Sequence, residues 1–144
     1  MKTHLNLATK DLQKSVAFYA TLLGATPAKV LDDYALFVTE DPGLELALDL
    51  REAVAPGHDV HYGIFVESAD EVDRAIDRLA AAGLATSVER EESCCYANQT
   101  KVWAVDPEGR HWEIYTVHAD TEERNPGSTS CCSLGDQDRD CCVA

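Results

Sequence analysis

Two adjacent cysteines, Cys94 and Cys95, lie just upstream of a strand-turn-strand segment whose second strand carries Glu113. Thiolates bind soft ions and metalloids, whereas imidazole and carboxylate groups bind divalent metal ions. Two histidines, His4 and His61, begin predicted strands and are candidate partners of Glu113 around a metal. These residue types therefore predict chemistry on a soft element close to a metal ion.

Length and composition predict a single globular domain over residues 1–119, followed by a tail over residues 120–144. The chain has 144 residues, of which 45% are hydrophobic, enough for one core and too few for two ordinary domains. Its beginning alternates like a strand, and no apolar run approaches the ~18 residues of a membrane helix. We therefore expect neither a signal peptide nor a membrane span, and a cytoplasmic location.

The cysteines and the charge narrow the class of ligand. Six cysteines in a cytoplasmic chain are expected to be reduced thiols, available as ligands or nucleophiles. A formal net charge of -14 repels nucleic acids and anionic membrane surfaces. The composition favours a neutral or cationic small molecule as the binding partner.

One pattern of elements occurs twice, over residues of about 1–52 and 58–118. Each copy is predicted to contain a strand, an amphipathic helix that stops at a glycine, and about three further strands. Each copy also contains an Asp-Pro turn, at Asp41 and at Asp106. The predicted strands and helices cover residues 3–7 and 11–23 in the first copy, and 60–66 and 68–79 in the second. Such a unit is too small to close its own core, so the two copies are expected to share one.

The duplicated pattern resembles the vicinal oxygen chelate superfamily, the glyoxalase and extradiol dioxygenase group, over residues 2–118. The resemblance implies an α+β fold in which two βαβββ modules form a barrel around a metal ion. It also implies that His4, His61 and Glu113 are the metal ligands. Strand parity agrees that one face can line a cavity, because alternate residues of the last strand point the same way: His111, Glu113 and Tyr115.

The number and type of candidate ligands indicate which metal ion is expected to bind. Overlaying the two Asp-Pro turns places Ala47 opposite Glu113, and alanine binds no metal. Two imidazoles and one carboxylate form the facial arrangement of non-haem Fe(II) enzymes, which leaves positions open for substrate and dioxygen. Fe(II) is the first choice, and Zn, Ni, Mn or Co can occupy the same groups.

Each candidate ligand also has a structural interpretation. A histidine at the start of a half-buried strand is usually packed or hydrogen-bonded, and Glu113 can be an exposed strand residue. His111 is either a rival ligand or a hydrogen-bond partner of one, with Tyr115 beside it. His58 and His118 lie in loop and tail contexts and are expected to be solvated.

The thiols lie in an insertion. The stretch from Gly83 to Asp106 is longer than the stretch from Gly24 to Asp41, and Cys94 lies in the excess. Adjacent cysteines bridge each other only under strain, but as thiolates they can share one soft ion or a trivalent metalloid. The alternative, a pair of buried small hydrophobic residues, fits poorly with the polar neighbours.

The runs from Cys94 to Trp103 and from Asp106 to Val117 resemble one branch of the superfamily, the carbon-arsenic lyases and the cadmium-induced proteins. The resemblance implies an Fe(II)- and dioxygen-dependent enzyme that cleaves trivalent methyl or aryl arsenicals to inorganic As(III), a detoxification reaction. Cys94 and Cys95 would then bind arsenic as a dithiolate beside the metal, as catalytic and substrate-binding residues. Dioxygen would be the co-substrate.

The tail carries further thiols. Its low hydrophobicity predicts disorder, and two more vicinal pairs are candidate auxiliary thiols: Cys131, Cys132, Cys141 and Cys142. They can pass arsenic to or from the site, or act as a passive sink.

Two classes of function follow from the sequence. One is the carbon-arsenic lyase, and the other is a thiol-based protein that binds cadmium or arsenic without turnover. A complete set of metal ligands favours the enzyme, because a binding protein needs only thiols. Glyoxalase or catechol dioxygenase chemistry leaves Cys94 and Cys95 unexplained. Monomer and homodimer both stay open.

Overall fold

The computed structural model describes residues 2–54, 61–94 and 96–122. The described residues form one order of elements, β-α-β-β-β, twice in succession, as the duplicated sequence pattern predicted. The first set comprises β1 (Thr3–Thr9), α1 (Leu12–Leu23), β2 (Lys29–Val30), β3 (Tyr34–Thr39) and β4 (Leu44–Leu50). The second set comprises β5 (His61–Phe65), α2 (Ala69–Ala81), β6 (Ala85–Cys94), β7 (Ala97–Val105) and β8 (His111–Asp120).

The strands form two four-stranded mixed sheets. The first sheet has the order β1-β4-β3-β2, and the second has the order β5-β8-β7-β6. In each sheet the first and last strands of the module pair in parallel, and the other neighbours are antiparallel. The predicted two-module fold is therefore confirmed, while closure of the two sheets into a barrel stays a prediction.

The two parallel strand pairs, β1 with β4 and β5 with β8, align corresponding residues of the two modules in the same register. The register pairs Asn6 with Ala47 in the first sheet and Gly63 with Glu113 in the second. Asn6 lies two residues after His4, and Gly63 lies two residues after His61. The register thus agrees with the overlay of the two sequence copies, in which Ala47 takes the place of Glu113.

Both helices begin one residue after the predicted start; α1 ends at Leu23 as predicted, and α2 continues two residues beyond the predicted end, to Ala81. The carboxylate of Asp11 caps α1 by accepting the backbone N–H of Lys14, and Gly24 ends the helix at φ 60°, a conformation that glycine adopts at little cost. At the start of α2 the Ser68 hydroxyl donates to Glu71 Oε2 at 3.0 Å and accepts no backbone N–H, so the two side chains pair with each other in place of the expected capping box. Neither helix in the described part of the chain is long and apolar enough to cross a membrane.

One face of each sheet packs into the apolar core. In β4, Leu46 and Leu48 are fully buried, and α1 packs close to this strand. The second sheet buries Ile64 and Ile114 in the same way. On the opposite face of this sheet Glu113 is buried as well, so burial does not alternate along β8. Residues of both modules share a single core.

A buried polar network joins the two modules. Asp106, in the turn before β8, accepts the Tyr19 hydroxyl at 2.6 Å and Arg110 Nη1 at 2.9 Å. Arg110 Nη2 donates to the carbonyl of Ala8 in β1 at 2.6 Å. Burial and the Asp106 charge raise the pKa of Tyr19, so its hydroxyl stays protonated and donates. The turn that precedes the last strand is thereby fixed to the first module.

Candidate functional site

A polar surface covers the face of the second sheet that points away from the helices. Cross-strand partners share a face in a sheet, and the register aligns Glu89 with Lys101, and Trp103 with Glu113. We call this surface the polar face. Its residues are His61, Glu89, Lys101, Trp103, His111, Glu113 and Tyr115.

Glu113 lies at the centre of the polar face with a basic group beside each oxygen. His61 Nε2 lies 3.5 Å from Oε1, and Lys101 Nζ lies 3.0 Å from Oε2. The Glu113 side chain is 9% exposed, whereas the imidazole of His61 is 59% exposed. The pair therefore combines a fixed, buried carboxylate with an imidazole that an incoming ligand can reach.

The electrostatics keep the carboxylate ionised. Burial alone would raise the pKa of Glu113, but the adjacent imidazole of His61 and the charge of Lys101 outweigh it and lower the pKa. The adjacent carboxylate in turn raises the pKa of His61, although its partial burial opposes the shift.

Gly63 gives the carboxylate its space. A Cβ at this position would lie 3.2 Å from Glu113 Oε1 and 3.0 Å from Tyr115 Cε1, closer than side chains normally pack. Gly63 pairs with Glu113 across the parallel strands. Here glycine permits the close approach of a side chain to the backbone.

Lys101 and Glu89 are buried charged residues that the sequence interpretation overlooked. Each is 5% exposed. The Trp103 indole N–H donates to Glu89 Oε1 at 3.1 Å, while Glu89 Oε2 is buried without a hydrogen-bond partner among the described residues. Burial raises the pKa of Glu89, and the Lys101 charge and the Trp103 hydrogen bond oppose this only in part. The neighbours of Glu89 and Lys101 in the sequence are part apolar and part polar, so no clear alternation signals this face.

His111 and Tyr115 lie on the polar face, as strand parity predicted. His111 pairs with His61 in the register and is half-buried, with Nδ1 lacking a hydrogen-bond partner among the described residues. The Tyr115 ring meets Phe65 edge-on at 5.8 Å between centroids. Both residues flank Glu113 along β8.

His4 lies on the first sheet, apart from this pair. Its side chain is 58% exposed, and Nδ1 lies 3.6 Å from Glu45 Oε2. Within the described parts of the chain, no three His, Cys, Asp or Glu side chains surround a common point. In the described residues of one chain, His4 lies on a different sheet from the pair of His61 and Glu113 and does not join them. The assignment of all three as metal ligands stays a prediction.

The donor chemistry of the remaining pair fits a divalent metal ion. Adjacent ligands with bonds of about 2.1 Å lie roughly 3 to 3.5 Å apart, and His61 Nε2 and Glu113 Oε1 are 3.5 Å apart. Imidazole and carboxylate suit Fe, Zn, Mn, Co or Ni. Within one chain, this pair places one nitrogen and one oxygen at the spacing of two ligands of a single metal ion.

Cys94 lies at the end of the first strand of the β6–β7 hairpin. The backbone of Cys94 ends β6 and pairs with Ala97, and Tyr96 takes a positive φ of 67° in the turn. Cys95 and the side chain of Cys94 lie outside the described part of the structure. So do His58 and the four tail cysteines, Cys131, Cys132, Cys141 and Cys142.

A bulge shapes the arm of this hairpin. The register shifts between Glu89 and Glu92, and Glu91 has a φ of 51°. The backbone N–H of Glu91 donates to Thr100 Oγ1, which is also 2.8 Å from His118 Nε2. His118 is exposed, as expected of a solvated residue, but it also braces the hairpin through Thr100.

Comparisons with known proteins agree with this geometry. The sequence pattern of the Glyoxalase/Bleomycin resistance protein/Dioxygenase superfamily matches residues 3–114. A trivalent organoarsenical cleaving enzyme of Bacillus sp. (strain MD1) is 41% identical over 130 residues, which are 90% of this chain and 81% of that protein. The cadmium-induced protein CadI of Mycobacterium bovis is 41% identical over 126 residues, 88% of this chain and 82% of that protein. A crystal structure of a glyoxalase/bleomycin resistance protein/dioxygenase from Alicyclobacillus acidocaldarius has a TM-score of 0.67 at 18% identity, covering 83% of this chain and 92% of the other.

Proposed function

Because the chain belongs to the glyoxalase/bleomycin resistance protein/dioxygenase superfamily, we propose that it is a metal-dependent enzyme that cleaves the carbon-arsenic bond of trivalent organoarsenicals. In this proposal the metal is Fe(II), dioxygen is the co-substrate, and inorganic As(III) is the arsenic product. The reaction takes place in the cytoplasm and detoxifies methyl or aryl arsenicals.

The observation that carries the proposal is the combination of two ligand types in one module. The pair His61 and Glu113 offers nitrogen and oxygen to a divalent metal, and the same sheet carries the hairpin with Cys94 and Cys95. A relative at 41% identity is named a trivalent organoarsenical cleaving enzyme. Vicinal thiols on this scaffold are suited to a trivalent arsenical, because arsenic is soft and accepts two thiolates.

The residues of this chain have distinct tasks in the proposal. Cys94 and Cys95 bind the substrate, and each thiol proton leaves with one arsenic-bound hydroxyl as water while an As–S bond forms. His61, Glu113 and a third ligand hold Fe(II), and the chemistry that Fe(II) supplies when bound is activation of dioxygen. His111 and Tyr115 flank the carboxylate. The tail thiols at Cys131, Cys132, Cys141 and Cys142 are auxiliary binding sites for arsenic.

The third ligand is His4 from a second copy of the chain. His4 stands exposed on the open face of the first sheet, and the polar face leaves His61 accessible. Apolar side chains lie exposed on both sheets, among them Val38 and Phe65, and burying them against another chain would stabilise a pair. A homodimer would then contain two identical metal sites.

A second function draws support from a different relative. The cadmium-induced protein matches this chain as closely as the arsenical-cleaving enzyme does. In this alternative the thiols bind cadmium or arsenic and no turnover occurs. The alternative needs Cys94 and Cys95 but assigns no task to the pair of His61 and Glu113.

One experiment separates the two functions. The full-length protein is loaded with Fe(II) without oxygen, given methylarsonous acid and exposed to air, and the arsenic species are then separated. Release of inorganic As(III) that requires both iron and air supports the enzyme. Methylarsonous acid that is bound and recovered unchanged from the iron-loaded protein supports the binding function and overturns the proposed one.

A further inference from the structure

Lys101 is a buried cation on the polar face. It is 5% exposed and lies between Thr100 and Val102, which are both buried against the core side of β7. A buried ammonium group is costly unless a charged or hydrogen-bonding partner compensates it. The partner that Lys101 finds is therefore central to its role.

That partner is Glu113. The Lys101 ammonium donates to Glu113 Oε2 at 3.0 Å and lies 5.4 Å from the centre of the Trp103 ring. The ring interacts favourably with a cation at this distance. Burial, the ring and the hydrogen bond together hold the ammonium in one place.

Glu113 is confined from the opposite side as well. The backbone of Gly63 leaves only enough room for the carboxylate, since a Cβ there would lie 3.2 Å from Oε1 and 3.4 Å from Cγ. Oε1 faces the accessible imidazole of His61. One carboxylate oxygen is thus engaged by Lys101, and the other points to where a metal ligand is needed.

We propose that Lys101 is a positioning residue that engages Glu113 Oε2 and so leaves Oε1 as the single oxygen that Glu113 offers to a divalent metal ion. Binding through one oxygen saves a coordination position for another ligand. Hydrogen bonds to metal-binding carboxylates commonly orient them in this way. The inference rests on the metal-binding part of the proposed function and is independent of arsenic.

The test uses Co(II) added to the metal-free, full-length protein, with no arsenical present. Its visible absorption reports the coordination number, and titration gives the dissociation constant. In Lys101→Met the freed Oε2 also reaches the metal, so the coordination number rises, the visible absorption of bound Co(II) weakens, and the dissociation constant shifts from the wild-type value. Lys101→Arg keeps a charged donor to Oε2 and restores most of the wild-type absorption. Lys10→Met removes the same charge from an exposed side chain and changes neither quantity.

Gly63→Ala keeps the test decisive if Lys101→Met does not fold. The added methyl group displaces Glu113 from the other side, so the Co(II) affinity falls and the spectrum changes while Lys101 is intact. Circular dichroism and urea unfolding establish that each variant is folded. Unchanged Co(II) affinity and spectrum in folded Lys101→Met would overturn the positioning role. If only Gly63→Ala folds, the same result in that variant would overturn it. Absence of Co(II) binding by the wild-type protein would overturn it as well. Co(II) binding that depends on Lys101, in a protein that leaves methylarsonous acid uncleaved, would refute the proposed reaction and uphold the positioning role.

Discussion

The indole of Trp103 holds one oxygen of Glu89 at 3.1 Å and leaves the other buried without a hydrogen-bond partner among the described residues. An unpaired buried polar atom costs about 1–3 kcal/mol. The fold is thus less stable than it would be if both oxygens of Glu89 were hydrogen-bonded, and Glu89 shares the polar face with Glu113. Such local costs are expected at sites shaped for function rather than for folding.

Glu89→Gln should gain stability relative to the wild-type protein as pH rises. The pKa of Glu89 is raised above its ordinary value of 4.5, so its contribution to the free energy of unfolding is full below the unfolded pKa and is lost as pH rises through the folded pKa. Glutamine keeps the Trp103 hydrogen bond and carries no charge. At pH 7 the gain should be on the order of 1 kcal/mol, the cost of one unpaired buried group. Urea unfolding between about pH 4.5 and pH 7 measures it.

Glu91→Gln is the matched control for this prediction. Glu91 lies on the same strand with an exposed side chain, so the same exchange at this position alters no buried group and provides the baseline for the comparison. A Glu89→Gln variant that loses stability as pH rises would show that the ionised carboxylate stabilises the fold.

Tyr19→Phe should reduce the free energy of unfolding by about 1.5–3 kcal/mol, the contribution of a hydrogen bond to a charged group. The variant removes the 2.6 Å hydrogen bond to Asp106 and retains the buried ring. Urea unfolding measures the loss, and Tyr96→Phe, at an exposed tyrosine, should leave the midpoint unchanged. Equal midpoints for all three proteins would mean that the hydrogen bonds from Arg110 and from the backbone N–H of Glu108 satisfy Asp106 without Tyr19.

Replacing Cys94 or Cys95 with serine should abolish turnover of methylarsonous acid. Hydroxyl groups bind soft elements poorly, so arsenic is no longer held, while Fe(II) binding should stay near the wild-type level. Arsenic speciation and iron titration are the two measurements.

Removing residues 120–144 provides a control, because it takes away the other vicinal pairs and should reduce turnover much less than either substitution does. Full activity in both single serine variants, together with loss in the truncated chain, would move the substrate thiols to the tail.

Mixing two inactive variants tests the shared metal site. His4→Ala and His61→Ala homodimers should each lack a ligand and bind Fe(II) weakly. If each site takes His4 from one chain and His61 from the other, a mixed dimer contains one intact site. Unfolding and refolding the two variants together should then restore up to about half of the sites in a mixed dimer, as measured by Fe(II) binding. No recovery in a mixture that does exchange chains would show that the metal site does not combine His4 of one chain with His61 of the other.

The sequence predicted the elements better than it predicted their assembly. Alternation located the strands that begin with His4 and His61, and Gly24 marked a helix end, because these signals depend on local geometry. The convergence of His4 with Glu113 depends on which sheets adjoin, and no local pattern encodes that. Lys101 was overlooked for the same reason: its burial results from the packing of β7 against its neighbours.

The hydrogen bond between Tyr19 and Asp106 spans 87 positions of sequence and makes the duplicated halves mutually dependent. Asp106 sets where β8 begins, and β8 carries Glu113. The alignment of the carboxylate therefore derives in part from α1 of the first half. That helix itself carries none of the proposed ligands. A second half expressed alone would contain His61, Lys101 and Glu113 and still lack the anchor that fixes their strand, so duplication here has produced one cooperative unit rather than two interchangeable ones.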